Sequence, residues 1–403
     1  MNQKTKAISD KKIIGIAGLA WMFDAMDVGL LSFLLVALQK DWNLTTEEMS
    51  WIGSINSIGM VVGAFIFGVM ADKIGRKSVF IITLLLFSIG SGISAFVSSL
   101  AIFLLLRFLI GMGLGGELPV ASTLVSEMVS SEKRGRVVVL LESFWAAGWI
   151  LSALIAYFII PEWGWRTALL LSALPAFYTL YLRFHLPDSP KYHQAKQVQK
   201  PSILDNMKGV WSAEHKRQTF VLWILWFSVV FSYYGMFLWL PSVMVMKGFS
   251  LIRSFEYVLI MTLAQLPGYF TAAYFIEKIG RKFVLVVYLI GTAASAYVFG
   301  NSDSTTLLLT SGIFLSFFNL GAWGALYAYT PEQYPTSIRG TGSGMASAFG
   351  RIGGVLGPLV VGYLVADDIP ISVIFTIFTV SILIGVVVVQ IWGKETKQTV
   401  LQD

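Results

Sequence analysis

The sequence predicts an all-α membrane protein in which twelve transmembrane helices form two pseudo-symmetric six-helix bundles. Three observations support this fold class. The 403 residues are 56% hydrophobic and 13% charged, and that charged fraction is about half of the usual value for a soluble domain. Apolar runs of roughly the 20 residues that a membrane-crossing helix needs recur along the chain. The second half of the chain also repeats the first.

The apolar runs are interpreted as helices because lipid offers the backbone no hydrogen-bonding partner. We predict twelve spans, at residues 13–38, 52–71, 78–98, 100–124, 137–159, 166–185, 217–240, 254–277, 282–300, 305–328, 341–364 and 371–393. The first span is long and lacks a small-residue cleavage site, so we expect a retained helix and not a secretory signal.

The distribution of Lys and Arg predicts the orientation of these helices. With the N-terminus in the cytoplasm, 23 of the 29 basic residues fall on the cytoplasmic side, 4 fall in outside loops, and Arg107 and Arg351 lie within helices. This bias predicts a multi-pass protein of the cell membrane with both termini in the cytoplasm. The net charge of +6 then faces anionic lipid headgroups, so no nucleic-acid partner is expected.

Four separate loci repeat at a constant offset of 205 residues. Residues 72–77 (DKIGRK) return at 277–282 (EKIGRK), residues 134–135 (RG) at 339–340, Glu127 as Glu332 and Trp21 as Trp226. We therefore predict an N-terminal bundle at 1–185, a polar cytoplasmic linker at 186–216 and a C-terminal bundle at 217–403. Two halves of the same orientation imply a two-fold axis along the membrane normal.

Two acids interrupt the first predicted span. Asp24 and Asp27, in the stretch FDAMDVG at 23–29, are three residues apart and share one face of a helix. An ionised carboxylate about 16 Å deep costs roughly 2.5–3.5 kcal/mol or more unless it faces water or a partner. We expect at least one of the pair to bind and release a proton, with Asp27 the stronger candidate because it is nearer the midplane. The alternative is that Asp24 only bonds a neighbouring helix.

Further charges lie in other spans. Arg351 is about 15 Å deep, and its guanidinium needs an anion, either a ligand or a structural acid such as Glu142. In the fourth span, Arg107 and Glu117 are ten residues apart and point about 80° apart. Glu117 is therefore interpreted either as a second protonatable acid or as a partner for Arg107. The candidate proton-coupling residues are Asp27, Asp24, Glu117, Glu142 and Arg107.

Polar and aromatic side chains share one face of the tenth predicted span. Ser316, Asn319, Trp323 and Tyr327 follow the spacing i, i+3, i+7, i+11. An aromatic stripe alone is more often packing, whereas a stripe with Asn and Ser is more often the lining of a cavity. Other residues expected near mid-depth, and able to stack a flat ring or bond a ring nitrogen, are Trp145, Trp149, Tyr233, Tyr234 and Gln265.

The repeated loop residues predict two cytoplasmic charge networks. Positive-inside charge explains their Lys and Arg but not the matched acids. We expect each network to hold the cytoplasmic side closed and to break when the halves rock, which is a gating role. The first network is Asp72, Arg76, Glu127 and Arg134, and its repeat is Glu277, Arg281, Glu332 and Arg339.

At several motifs the chain resembles the major facilitator superfamily. Residues 68–77 (GVMADKIGRK) are similar to its signature in the loop between helices 2 and 3, and residues 107–116 (RFLIGMGLGG) to its fourth-helix motif. Residues 187–191 (PDSPK) and 335–342 (PTSIRGTG) resemble the motifs of its sugar-porter-like members at the end of helix 6 and in loop 10–11. Residues 24–27 (DAMD) resemble the first-helix aspartate pair of aromatic-acid/proton symporters.

Within this superfamily, the stretches at 111–127, 231–244 and 320–336 look like those of the bacterial niacin (nicotinate) transporters. The resemblance implies a monomeric secondary transporter, without a cofactor, that imports nicotinate or a similar small aromatic monocarboxylate by proton symport with alternating access. Members that carry organic anions are similar in placing an arginine in helix 11, which implies that Arg351 binds the substrate carboxylate. The other candidate substrate-binding residues are those chosen above for their helical spacing or depth, namely Asn319, Trp323, Tyr327, Trp145, Trp149, Tyr233 and Gln265.

Two alternatives remain open. The same fold serves equally for an exporter, or for a carrier of a neutral or cationic aromatic compound. A cation would fit if Asp27 or Glu117 bound the substrate charge directly, and Arg351 argues against this. A membrane-embedded enzyme or sensor is disfavoured because the chain has no Cys, no HExxH motif and no sizeable soluble domain.

Overall fold

The computed structural model describes residues 10–74, 76–128, 134–185, 203–335 and 338–397, and within these ranges the chain is helical with no strand. The first half contains α1 (Asp10–Trp42), α2 (Thr46–Ile74), α3 (Arg76–Ser94), α4 (Leu100–Met128), α5 (Arg134–Ser172) and α6 (Pro175–His185). Helix α2 begins with a capping box, because the Thr45 N–H donates to Glu48 Oε2 (2.9 Å) and the Glu48 N–H donates to Thr45 Oγ1 (3.2 Å).

The second half contains α8 to α15, and a short helix, α7, precedes it within the predicted linker. Their bounds are α7 (Ile203–Val210), α8 (Lys216–Phe237), α9 (Leu240–Met246), α10 (Leu251–Leu263), α11 (Gln265–Ile279), α12 (Arg281–Gly300), α13 (Thr305–Glu332), α14 (Arg339–Ala366) and α15 (Ile371–Trp392). The predicted linker residues 186–202 lie outside the described ranges.

The helices agree with the prediction of twelve membrane crossings. In the described part of the chain, ten helical segments are long and apolar enough to cross a membrane, and Leu100–Gly116 is a shorter apolar one. One of the ten, Leu140–Tyr178, has 39 residues. It holds two crossings because Gly164 (φ 80°, ψ 166°) leaves the helical conformation in its middle.

One predicted span is divided. Helices α10 and α11 meet at Ala264, inside the span predicted at 254–277. Pro267 has no N–H, so it cannot bond the carbonyl of Leu263, and the helix breaks just before it. The break sets Gln265 at the start of α11, near the middle of the crossing.

The structure reproduces the sequence repeat in its helix contacts. A side chain at Gly63 of α2 would meet the Met112 carbonyl of α4, and one at Gly268 of α11 would meet the Phe317 carbonyl of α13. Both members of the second contact are 205 residues beyond those of the first. The two halves therefore pack the same helix pair with the same backbone approach.

A second pair of contacts follows the same rule. Gly148 of α5 packs on the backbone of Met22 in α1, and Gly353 of α14 packs on the backbone of Phe227 in α8, again with an offset of 205. The close approach needs glycine because any Cβ would overlap main-chain atoms. Both bundles thus share one internal architecture.

The two halves meet through few helices. Helix α2 packs on α14, α5 packs on α10, α11 and α13, and α1 packs on α9. Ser54 Oγ donates to the Val355 carbonyl (2.8 Å), and the Trp51 indole donates to the Tyr363 hydroxyl (3.2 Å). These contacts bring α5, α8, α13 and α14 together around the molecular centre.

Candidate functional site

An aromatic cluster lies where α5 of the first half meets α8 and α13 of the second. We use this name for Trp145, Trp149, Tyr233, Trp323 and Tyr327. The Trp145 indole N–H donates to the Tyr233 hydroxyl at 2.8 Å, which is a direct hydrogen bond between the two halves. The Tyr233 ring centroid lies 4.8 Å from that of Trp323 and 6.2 Å from that of Trp149.

Helical spacing explains why these rings converge. Trp145 and Trp149 are four residues apart on α5, and Trp323 and Tyr327 are four residues apart on α13, so each pair forms one continuous face. All but Tyr327 are buried, and Tyr327 is partly buried. The rings pack directly against one another, so a ligand enters only when the two halves separate here. The structure thus brings together the aromatic residues that the sequence predicted.

Amide and hydroxyl groups lie beside this cluster. Gln265 is one helical turn from Tyr269 on α11, and Asn319 is one turn from Trp323 on α13. Within the described residues, both amide atoms of Gln265, the Asn319 Oδ1 and the Ser316 hydroxyl are buried without a hydrogen-bonding partner. Buried polar groups are normally paired. These groups are therefore available to a polar ligand or to water.

Arg351 of α14 lies at the edge of the aromatic cluster. Its Nη1 is 3.5 Å from the sulfur of Met60, and its guanidinium interacts with Tyr234 and Tyr327. A thioether is only a weak acceptor. No ion pair joins Arg351 to an acid of the described ranges, so the alternative pairing with Glu142 is not observed there. A permanent charge is thus held at the cluster by weak partners.

Glu142, like Arg351, interacts with Tyr327. It sits on α5, exposes 2% of its surface, and its Oε2 has no hydrogen-bonding partner within the described part of the chain. Trp21 of α1 adjoins the carboxyl, and the rings of Tyr269 and Tyr327 face it from the second half. The carboxyl therefore borders the same cluster as Arg351.

A buried ion pair forms a second charged centre. Asp27 Oδ2 accepts from Arg107 Nη1 at 3.0 Å, and Asp27 Oδ1 accepts from the Ser91 hydroxyl at 2.6 Å. The Asp27 and Arg107 side chains are each 1% exposed. Neither interpretation of Arg107 from the sequence anticipated this partner, because the two residues are 80 positions apart. Asp24 is also buried.

The ion pair is close to the aromatic cluster along α1. Gly29, two residues beyond Asp27, packs against the Trp149 ring and the Ser152 hydroxyl. A shift of α1 at Asp27 is therefore felt directly by the Trp149 side of the cluster. This contact is a physical connection between the charged centre and the aromatic walls.

The predicted charge network of the second half is partly assembled. Arg281 Nη2 lies 3.3 Å from Glu277 Oε1, and Arg281 Nε lies 3.2 Å from Glu332 Oε2. Arg339 donates to two backbone carbonyls, those of Pro331 (3.0 Å) and Tyr334 (3.2 Å). The first network and the helix-4 acid stay predictions, because the structure describes only the backbone at Asp72, Arg76, Glu127, Arg134 and Glu117.

The sequence analysis missed two residues of these sites. Glu395 accepts the N–H groups of Arg281 (2.9 Å) and Lys282 (3.1 Å) and so caps α12, but it is 114 residues away in the chain. Tyr269 places its buried hydroxyl, unpartnered within the described residues, beside Glu142. Its spacing of four from Gln265 is the signal that would have included it.

Comparisons with known proteins agree with this architecture. The Major Facilitator Superfamily model matches residues 17–268 and 257–401. A Bacillus subtilis protein provisionally named a niacin/nicotinamide transporter is 69% identical over 99% of this chain and 100% of its own length. A niacin transporter of Acinetobacter baylyi is 44% identical over 97% of this chain and 95% of its own length.

A solved structure has the same fold. The xylose transporter XylE of E. coli, in a partially occluded inward-open conformation, superposes with a TM-score of 0.81 at 18% identity, covering 97% of this chain and 99% of that chain. The family model matches nearly the whole sequence, and the two relatives align over nearly their full length. Both relatives are named as transporters and not as enzymes. The chain therefore belongs to the Major Facilitator Superfamily and is a multi-pass membrane protein that transports a small molecule.

Proposed function

We propose that this chain imports nicotinate, or a similar small aromatic monocarboxylate, by proton symport with alternating access. The names of the Acinetobacter and Bacillus relatives state niacin and niacin/nicotinamide transport. The observation that carries the proposal is the environment of Arg351. Its partly buried guanidinium has no acidic partner in the described ranges and lies at the edge of the aromatic cluster. A fixed cation beside aromatic faces is complementary to a flat ring that carries a carboxylate.

Each group then has a defined role. The Arg351 guanidinium donates hydrogen bonds to the substrate carboxylate, and these replace its weak contact with Met60. The aromatic cluster encloses the ring, and the amides of Gln265 and Asn319 supply hydrogen bonds that are unmade in the described residues. The Trp145–Tyr233 hydrogen bond forms and breaks as the halves close and open around the ligand.

Proton coupling follows from the charge of the substrate. Inward movement of one negative charge against an inside-negative potential costs about 2.3 kcal/mol per 100 mV. One accompanying proton cancels this cost. Asp27 is the proposed carrier, because its protonation replaces the ion pair with a weaker hydrogen bond between the charged Arg107 and a neutral acid, which loosens α1 beside Trp149.

The proposed topology places the chain in the plasma membrane with both termini in the cytoplasm, as a monomer. The positive-inside bias of Lys and Arg supports this orientation. The α1–α2 loop then faces outside, and the Arg281–Glu332 network faces the cytoplasm, where it would open as the halves rock.

The test is uptake of labelled nicotinate into cells that lack their own system, with benzoate, nicotinamide and choline as competitors. Saturable uptake that rises as the outside pH falls, with competition by benzoate, supports the proposal. Competition by choline alone would exclude an anion carrier, and efflux without uptake would exclude an importer.

A further inference from the structure

Glu142 is a buried acid to which the proposed function gives no role. It lies in the first half, on the face of α5 that carries Trp145 one turn later. Its Oε2 and the hydroxyl of Tyr269 are both fully buried and lack a hydrogen-bonding partner within the described residues. Two unsatisfied polar groups from opposite halves thus meet at one edge of the aromatic cluster.

The position of Glu142 relative to Arg351 limits what it recognises. Tyr327 interacts with both residues. Arg351 also contacts Met60 of α2, and Glu142 adjoins Trp21 of α1, so the two charged groups border the cluster beside different helices. A ligand whose carboxylate binds Arg351 and whose ring fills the cluster presents its far edge toward Glu142. That far edge is where a ring heteroatom differs from a C–H group.

We propose that the Glu142 carboxyl, assisted by the Tyr269 hydroxyl, donates a hydrogen bond to the ring nitrogen of the substrate and so selects pyridine carboxylates over phenyl carboxylates. This inference rests on the proposed function and adds to it the residue that reads the ring. A pyridine nitrogen has a lone pair and accepts a hydrogen bond, whereas the corresponding C–H of benzoate does not.

The donor must be the protonated acid. An ionised carboxylate has no proton to give, and leaving it unpaired away from water is costly. The neutral acid offers one O–H donor, and its carbonyl oxygen remains free to accept from the adjoining Trp21 indole. When benzoate replaces the pyridine, the buried donors stay unpaired, and a site built in this way binds such a ligand more weakly.

The first experiment measures dissociation constants of nicotinate, benzoate and nicotinamide on the purified wild-type protein. Loss of one hydrogen bond to a buried group predicts about tenfold weaker binding of benzoate than of nicotinate. Equal binding of the two carboxylates overturns this inference and leaves the proposed function standing. If neither carboxylate binds, both this inference and the proposed function are overturned.

The second experiment repeats these measurements on Glu142→Leu, Glu142→Gln and Tyr269→Phe. Glu142→Leu is expected to weaken nicotinate binding about tenfold while benzoate binding changes little. Glu142→Gln keeps an N–H donor and is expected to retain most of the preference for nicotinate. Tyr269→Phe removes only the assisting donor and should reduce the preference by about threefold.

The matched control is Glu256→Gln, which changes an exposed acid paired with Arg253 and should leave both affinities unaltered. If Glu142→Leu weakens both carboxylates equally, Glu142 supports the fold of the site and does not read the ring. If Glu142→Leu does not fold, an unchanged preference for nicotinate in Tyr269→Phe overturns the assignment, and a reduced preference supports it.

Discussion

The two halves of the molecule share their helix contacts but not their buried charges. Gly148 and Gly353 make equivalent backbone contacts 205 residues apart. The Asp27–Arg107 pair of the first half has no counterpart in the second, where residues 232 and 312 are Ser and Gly. The fold therefore requires the close helix approach and does not require the ion pair, which points to a role for that pair beyond stability.

The walls of the site differ in the same way. Trp145 and Trp149 of α5 correspond to Gly350 and Gly354 of α14, while Arg351 corresponds to Ala146. At these equivalent positions the first half thus supplies two bulky rings, and the second half supplies a guanidinium between two glycines. A ligand that needs both features is bound only between the halves, and this coupling of binding to their relative position is what alternating access requires.

The largest expected effect tests the ion pair that only the first half contains. Arg107→Ala leaves Asp27 buried without its cation, and we expect a loss of about 3–5 kcal/mol in the free energy of unfolding. The double variant Asp27→Ser, Arg107→Ala resembles the second half and should recover part of this loss. Thermal unfolding in detergent measures both. A double variant as unstable as the sum of its single variants would show that the pair is not energetically coupled.

The next effect concerns Arg351, which only the second half contains. Arg351→Ala should weaken nicotinate binding about 100-fold, because a charge-assisted contact of roughly 2–3 kcal/mol is lost. Binding of the neutral amide, nicotinamide, should change much less. Arg351→Lys keeps the positive charge but loses the planar guanidinium, so its affinity for nicotinate should lie between those of the wild type and Arg351→Ala. Direct binding measurements on purified protein decide this, and an unaltered dissociation constant in Arg351→Ala would remove Arg351 from the site.

The fold could be predicted from the sequence because a chain that crosses lipid must satisfy its backbone hydrogen bonds internally. Apolar runs of the right length had to be helices, and the 205-residue repeat indicated two like bundles. Gly164 leaves the helical conformation between the spans predicted at 137–159 and 166–185, so that boundary agrees with the prediction. The break before Pro267 was not predicted, because the composition of that span is otherwise uniform.

The site was only partly readable. Trp323 and Tyr327 were found because their spacing places them on one helix face. The pairing of Asp27 with Arg107 was not found, since it depends on how α1 packs on α4, and that is a property of the assembled bundle. Glu395 was missed for the same reason.

A moderate effect is expected when Asp27 loses its titration. Asp27→Asn keeps the size of the side chain and a hydrogen bond from Arg107 but binds no proton. With one coupled proton, a drop of one unit in outside pH raises accumulation by about tenfold in the wild type. We expect this pH-dependent increase in accumulation to vanish in the variant, while exchange of labelled for unlabelled nicotinate persists. If accumulation by Asp27→Asn still depends on outside pH, another acid binds the coupled proton. The same measurement on Glu142→Gln is the matched comparison.

A smaller effect should follow from loss of the hydrogen bond between the halves. Trp145→Phe and Tyr233→Phe each keep an aromatic ring but remove one partner of the 2.8 Å bond. Each should raise the KM for uptake by about fivefold, corresponding to roughly 1 kcal/mol. Because both variants break one bond, the double variant should be no worse than the single ones. Additive effects would indicate that the two side chains act separately on the ligand.

The smallest effect lies at the end of the second half. Glu395→Gln keeps an acceptor for the Arg281 and Lys282 N–H groups but removes the negative charge that favours the N-terminus of α12. We expect a loss of about 0.5–1 kcal/mol in the free energy of unfolding, seen as a small drop in the thermal midpoint. Glu256→Gln is the control, because its exposed pair with Arg253 should contribute less. In the first half, the corresponding position is Pro190, which has no carboxylate, so the sequence repeat does not include this residue. Equal shifts in the two variants would mean that Glu395 acts only as a surface charge and does not fix the chain end to α12.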